Sequence, residues 1–144
     1  ILDGGNGIDT VSYFSSETSV TVDLNLQDGL TKQSGGVGDS VDDILTGFEN
    51  LTGSAHNDVL TGDVNANVIM GLAGNDTING GRGADILDGG AGIDTLSYED
   101  DNNAVTVTLG FNGAQTLATG QSHGTGDKIS NFENIKGGSG NDIL

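Results

Sequence analysis

Aliphatic residues return every nine positions between Gly53 and Ser97, each at the centre of a three-residue stretch. Leu60, Ile69, Ile78, Leu87 and Leu96 take the eighth place of five head-to-tail units: GSAHNDVLT, GDVNANVIM, GLAGNDTIN, GGRGADILD and GGAGIDTLS. The first place is Gly53, Gly62, Gly71, Gly80 and Gly89, and the sixth is Asp58, Asn67, Asp76, Asp85 and Asp94. Three residue classes held in phase over five periods mark a repeat architecture. Three residues around one inward aliphatic make a very short strand, and the Gly-, Asn- and Asp-rich residues before it turn the chain sharply. One strand and one turn bury nothing alone. Two units, about eighteen residues, close one coil of a flattened solenoid whose coils stack as parallel strands roughly 4.8 Å apart. The expected fold is all-β, a right-handed parallel β-roll (a β-solenoid). Asp58, Asp76 and Asp94 are expected along one edge, with Asn67 and Asp85 along the other.

Stacked carboxylates repel unless something lies between them. Turn carbonyls that join neither helix nor ladder, with one carboxylate from each of two turns, form an all-oxygen cage suited to a hard cation. Calcium accepts six to eight oxygens at about 2.3–2.6 Å in flexible geometry, whereas magnesium demands a tighter octahedron. Zinc favours Cys and His, and here there are no cysteines and only His56 and His123. The donor set points to calcium.

GGNGIDTVS at Gly4–Ser12, GGRGADILD at Gly80–Asp88, GGAGIDTLS at Gly89–Ser97 and the truncated GGSGNDIL at Gly137–Leu144 resemble G-G-x-G-x-D-x-U-x, the repeat of the RTX (repeats-in-toxin, hemolysin-type) calcium-binding family. The resemblance implies a parallel β-roll with Ca2+ between turns two repeats apart. It also implies the ligands: first and third carbonyls and the sixth-position Asp of one turn, with second and fourth carbonyls and the Asp of the next. Carried over, one site joins Gly71, Ala73 and Asp76 to Gly90, Gly92 and Asp94. A second joins Gly53, Ala55 and Asp58 to Leu72, Gly74 and Asp76. A third joins Gly62, Val64 and Asn67 to Gly81, Gly83 and Asp85, with Asn67 offering a neutral oxygen. The pattern extends to Gly4, Asn6 and Asp9, to Gly80 and Arg82, and to Asp142. His56 and Asn65 stand where the family has its fourth-position Gly.

Acids outnumber bases 21 to 4 in the 144 residues, a net charge of −17, which repels nucleic acid and anionic membrane surfaces. Hydrophobic content is 33%, with 26 glycines, a composition that would by itself allow disorder. A chain that is open without cation and ordered with it reconciles the two, because binding energy then becomes folding energy. No apolar stretch reaches membrane-span length. The chain opens at Ile1-Leu2-Asp3, the last three places of a repeat, and stops at Leu144 inside another. It is therefore expected to be one β-roll segment of a larger protein with adjoining domains, and able to stack end to end when isolated.

A longer period overlies the nine. ILDGGNGIDTVSY at Ile1–Tyr13 returns as ILDGGAGIDTLSY at Ile86–Tyr98, and GFENLTGSAHNDVL at Gly47–Leu60 as NFENIKGGSGNDIL at Asn131–Leu144. This divides the chain into composite units 1–85 and 86–144, the second incomplete. Uninterrupted repeats fill 53–97, and interruptions lie at about 13–52 and 98–136. Val20, Val22, Leu24 and Leu26 alternate with polar residues, as do Val105, Val107, Leu109 and Phe111, which predicts half-buried strands. Polar loops follow at Gln27–Ser40 and Asn112–Gly126. Asp43-Ile44-Leu45-Thr46 and Asp127-Lys128-Ile129-Ser130 read as places six to nine of degenerate repeats. Glu49-Asn50-Leu51-Thr52 and Glu133-Asn134-Ile135-Lys136 keep the phase with Glu for Asp. The solenoid is expected to continue through these segments as enlarged coils; a separate globular insertion is the alternative.

Tyr13 and Tyr98, Phe48 and Phe132 recur at equivalent places and are expected to plug the core. His56 and His123 are expected in solvent. Glu99-Asp100-Asp101 is either a solvated corner or a supplement to the turn around Asp85. Glu49 and Glu133 lack a neighbouring nucleophile or oxyanion donor, so no active site is expected and the chain reads as non-enzymatic. Three functions fit: a calcium-binding module that folds on Ca2+ after secretion, a calcium-rigidified segment of a surface adhesin, or a carbohydrate-binding accessory module of a secreted polysaccharide-modifying enzyme. The resemblance implies type I secretion and an extracellular or bacterial cell-surface location.

Overall fold

In the computed structural model the nine-residue period becomes two stacked sheets; residues 1–33, 38–109, 116–117, 119–120 and 123–144 are described. Successive units alternate between the sheets. In spatial order, one sheet contains Thr10–Ser12, Asn50–Thr52, Val68–Met70, Ile86–Asp88, Lys128–Ser130 and Thr116–Leu117. The other contains Thr21–Asp23, Val59–Thr61, Thr77–Asn79, Thr95–Ser97 and Asn134–Lys136. Within these two sheets every pairing among the described residues is parallel except the one between Thr116–Leu117 and Lys128–Ser130; outside them Val105–Thr106 pairs antiparallel with Thr119–Gly120. This is a parallel β-roll.

The register places the eighth-position aliphatics in single file. Val11, Leu51, Ile69, Leu87 and Ile129 are direct neighbours in one sheet, and Val22, Leu60, Ile78, Leu96 and Ile135 in the other. Leu51, Leu60, Ile69, Ile78, Leu87 and Leu96 have no exposed surface. Each of these six strands thus contributes one fully buried side chain, worth about 1.5–3 kcal/mol, whereas Ile135 in the last strand of its sheet is only partly buried.

Both interruptions leave the roll and rejoin it in register. Val11 pairs with Leu51 and Leu96 with Ile135, so the enlarged coils keep the strands and expand the turns. The degenerate repeats are in phase: Leu45, fully buried, pairs with Leu2, and Ile129 pairs with Leu87. Tyr13, Tyr98, Phe48 and Phe132 are buried, as their recurrence predicts. The alternation from Val20 holds through Leu24, but Leu24–Leu26 turns into a short 3-10 helix capped by Asp23, whose carboxylate accepts from Asn25 N. An Asp–x–Asn turn competes successfully with strand extension there, and Leu26 is only half-buried. In the second interruption Val105 and Val107 are buried and Leu109 is partly buried; Phe111 and residues 112–115, 118 and 121–122 of the following loop lie outside the described residues.

Two glutamines tie the first interruption to the sheets by imitating a peptide group. Gln33 is buried, its Oε1 accepting from Asp23 N at 2.7 Å and its Nε2 donating to Asp23 O at 2.9 Å. Gln27 does the same for Phe48, donating to its carbonyl and accepting from its N–H, both at 2.7 Å. Backbone groups with no strand beside them are thereby satisfied. Among the described residues no helix is long and apolar enough to cross a membrane.

Candidate metal centre

The sixth-position residues stack as the period predicts. On one edge Asp58 N donates to Asp76 Oδ1, Asp76 N to Asp94 Oδ1 and Asp94 N to Glu133 Oε2, each at 2.8 Å. On the other, Asn67 N donates to Asp85 Oδ1 and Asp85 N to Asp127 Oδ1, both at 2.9 Å, while Asp9 N donates to Glu49 Oε2 at 2.9 Å. Glu49 and Glu133 therefore hold the place of the sixth-position Asp, one on each edge. They do not face one another as an acid–base pair.

One oxygen each of Asp76, Asp85, Asp94 and Asp127 is accounted for by this ladder. The second differs from turn to turn. Oδ2 of Asp9, Asp76, Asp85 and Asp94 is buried with no hydrogen-bond partner, and Asp76, Asp85 and Asp94 are at most 1% exposed. An ionised oxygen buried without a donor is costly. Burial, aided by the neighbouring Asp58 and Asp94 charges, pushes the Asp76 carboxyl up to about 6. Burial with Asp127 and Asp63 pushes Asp85 up to about 7. Asp94 is raised as well, by burial first and then by Glu133 and Asp88. Such groups either hold protons or sit against a cation.

The backbone around the orphan oxygens fits the second alternative. In all four of these turns the second residue is left-handed: Gly5, Leu72, Gly81 and Gly90, with φ of 84°, 80°, 79° and 96°. Leu72 is the informative one, because a non-glycine residue adopts that conformation only when its surroundings impose it. The fourth residue is glycine at positive φ in each: Gly7, Gly74, Gly83 and Gly92. Turns 71–76 and 89–94 lie directly on one another. Gly74 N donates to Ala91 O at 3.0 Å and Ala91 N to Leu72 O at 2.8 Å. Among the described residues nothing donates to the carbonyls of Gly71, Ala73, Gly90 or Gly92. These four carbonyls and the unpartnered oxygens of Asp76 and Asp94 are donors of the kind calcium takes. Among the described residues no cluster of three His, Asp or Glu side chains is placed to hold a metal by side chains alone. Close packing also explains the fourth-position glycine. A Cβ on Gly92 would run into the Gly74 carbonyl oxygen, so Gly92→Ala is expected to separate these turns and weaken calcium binding on the order of tenfold or more, read by a chelator-competition titration.

The remaining expected ligands fall into less open surroundings. Turn 53–58 stacks on turn 71–76, as expected, but Asp58 Oδ2 accepts from Ser54 N, and Oδ1 from Ser54 Oγ and Val20 N, both at 2.8 Å. Gly62, Val64 and Asn67 stack on Gly80, Gly81, Arg82, Gly83 and Asp85, with Arg82 N donating to Asp63 O at 2.9 Å. Asn67 Oδ1 there accepts from Asp63 N at 2.9 Å and its Nδ2 donates to Glu49 O at 2.7 Å. In the turn that carries Asn6, Gly4, Gly5 and Asp9 meet the segment from Gly47 to Asn50 rather than a full repeat turn. Asp142 Oδ1 accepts from Val105 N at 3.0 Å, the counterpart of the Asp58–Val20 bond. The stacking partner of Asp85 is Asp127, not the Glu99–Asp101 corner. Asp101 is buried, Asp100 Oδ1 lies 3.2 Å from His123 Nδ1, and His123 N donates to Asp101 Oδ2 at 3.0 Å. His56 is exposed as expected, whereas the His123 side chain is only 12% exposed. The sequence contains no local signal for that contact, since 22 residues separate His123 from Asp101.

A search of curated proteins found no match. The profile of the RTX calcium-binding nonapeptide repeat matches in four copies, within residues 43–69, 61–96 and 131–144. The matched segments include both turn 71–76 and turn 89–94. Residues 43–96 and 131–144 thus carry RTX calcium-binding nonapeptide repeats.

Proposed function

We propose that this chain is a calcium-dependent folding module of a larger extracellular protein, with its principal ion between turns 71–76 and 89–94. The observation that carries the reading is the pair of buried, unpartnered Oδ2 atoms of Asp76 and Asp94 on stacked left-handed turns. Asp85 and Asp9 supply further unpartnered oxygens on the other edge. Calcium supplies the positive charge these oxygens lack. The chain's part is to hold carbonyls and carboxylates around it. Where calcium is scarce, as inside a cell, a charge of −17 keeps the coils apart. Where it is plentiful, binding offsets the ordering entropy of the glycine-rich turns. The module carries out no chemistry of its own.

Calorimetric titration of the chelator-treated chain tests this, with magnesium as control. Calcium should bind with micromolar or tighter affinity and magnesium much more weakly, and Asp94→Asn should remove the tightest event or weaken it by roughly tenfold or more. Equal responses to the two cations, or no binding, would sink the proposal.

A further inference from the structure

We infer that the roll is built from two kinds of rung: turns closed by a cation, and turns closed by a hydrogen-bond donor that the protein itself supplies. The inference rests on the calcium reading above and assigns which repeats take no ion. In the first kind, 4–9, 71–76, 80–85 and 89–94, the second residue is left-handed and the sixth-position Oδ2 is left without a partner. In the second kind the place of the cation is taken by a proton donor.

Three separate chemistries reach that second outcome. In turn 53–58 the second residue is Ser54, outside the left-handed region, so its N–H points inward onto Asp58 Oδ2 while its hydroxyl takes Oδ1. In turn 62–67 Asp63 occupies the same place with the same backbone sense, and its N–H takes Asn67 Oδ1. Asn67 then uses Nδ2, where a carboxylate would have its second oxygen, to donate to Glu49 O. In the interruption a tyrosine does the work. Asp127 Oδ1 accepts from Asp85 N, and its Oδ2 accepts at 2.8 Å from the hydroxyl of Tyr98, which is fully buried. The first composite unit repeats the device, with Tyr13 donating to Asp43 Oδ2 at 2.8 Å. Burial holds both phenols protonated, the carboxylate beside each adding to the effect. Each donor neutralises no charge, but it satisfies the oxygen that calcium would otherwise satisfy.

The fourth residue separates the two kinds among the five contiguous repeats. Gly74, Gly83 and Gly92 are left-handed, whereas the protein-closed turns carry His56 and Asn65, which are not. Ser54→Gly combined with His56→Gly should therefore convert turn 53–58 to the cation-closed kind.

The test is calcium stoichiometry of the 144-residue chain by competitive-chelator titration, with tyrosine fluorescence recorded alongside. Tyr13 and Tyr98 are the only tyrosines and there is no tryptophan, so the emission reports on the two latches alone. The Ser54→Gly/His56→Gly chain should bind about one more calcium ion than the parent. Tyr98→Phe should leave the parent's tightest affinity within about twofold while lowering Tm measured in saturating calcium. An unchanged stoichiometry in the double variant, together with an ion already bound at Asp58 (lost in Asp58→Asn), would overturn the inference and leave the calcium reading intact. A parent chain that binds no calcium would overturn both.

Discussion

In chelator at neutral pH the chain should lose most of its β circular-dichroism signal, and calcium, but not magnesium, should restore it cooperatively. The reason is arithmetic of charge and burial. Asp76, Asp85 and Asp94 are buried with one oxygen unpartnered each, and three penalties of roughly 1–3 kcal/mol or more apiece are together comparable with the whole stability of a small domain, about 5–15 kcal/mol. Acid should substitute for calcium in part. Asp76 and Asp85 titrate in the folded, cation-free chain near 6 and 7, above the ordinary carboxylate value of about 3.9. Their raised values mean that the folded form holds more protons than the unfolded form in between, so folding stability falls as pH rises. That contribution is fully present below about pH 4 and is lost as pH climbs through 6 to 7. In chelator the β signal should accordingly be larger at pH 5 than at pH 8. Because calcium competes with those protons, its affinity should drop as pH falls through the same interval. A chain equally folded in chelator at both pH values would show that the buried carboxylates are satisfied without either.

Ile78→Ala should be the most damaging single truncation of the core. Ile78 is fully buried between Leu60 and Leu96 in one sheet. A roll with one inward side chain per strand has no second layer to collapse into the gap, so the loss should sit in the range of about 2–5 kcal/mol. For a chain of this length that corresponds to a fall in Tm on the order of ten degrees, measured in saturating calcium so that the folded state is well defined. The half-buried neighbour Thr77→Ala, whose side chain faces outward, should change Tm by a small fraction of that. Equal effects at the two positions would contradict a single-file core.

Much of this architecture is legible in the nine-residue period. A lone aliphatic between two outward residues specifies a short strand with one buried side chain, and units alternating between two sheets put every second sixth position on the same edge. The ladder from Asp58 to Asp76 to Asp94 follows from counting residues. So does the continuation through the interruptions, because Leu45, Leu51, Ile129 and Ile135 keep the phase of the repeats in which they are embedded. The donor chemistry is equally local: an acidic, cysteine-free chain of glycine turns with two isolated histidines offers a cation chiefly oxygens.

What the period does not contain is the direction of individual N–H groups and the meeting of residues far apart in the chain. Ser54 and Leu72 both replace glycine at the second place of a repeat, yet Ser54 turns its N–H onto Asp58 while Leu72 is held left-handed and leaves Asp76 Oδ2 bare. The difference follows the fourth residue, His56 in one turn and Gly74 in the other, because a freely rotating glycine lets the turn fold back over its neighbour and a side chain does not. Likewise Tyr98 reaches Asp127 across 29 residues and Tyr13 reaches Asp43 across 30, and Gln27 and Gln33 complete backbone groups that only the assembled coil leaves open. The sequence by itself determined the strands, the phase and the kind of ion. Stacking of the coils decided which carboxylates keep an unpartnered oxygen, since a donor's reach depends on which turn lies beside it, and that is settled only when the coils close.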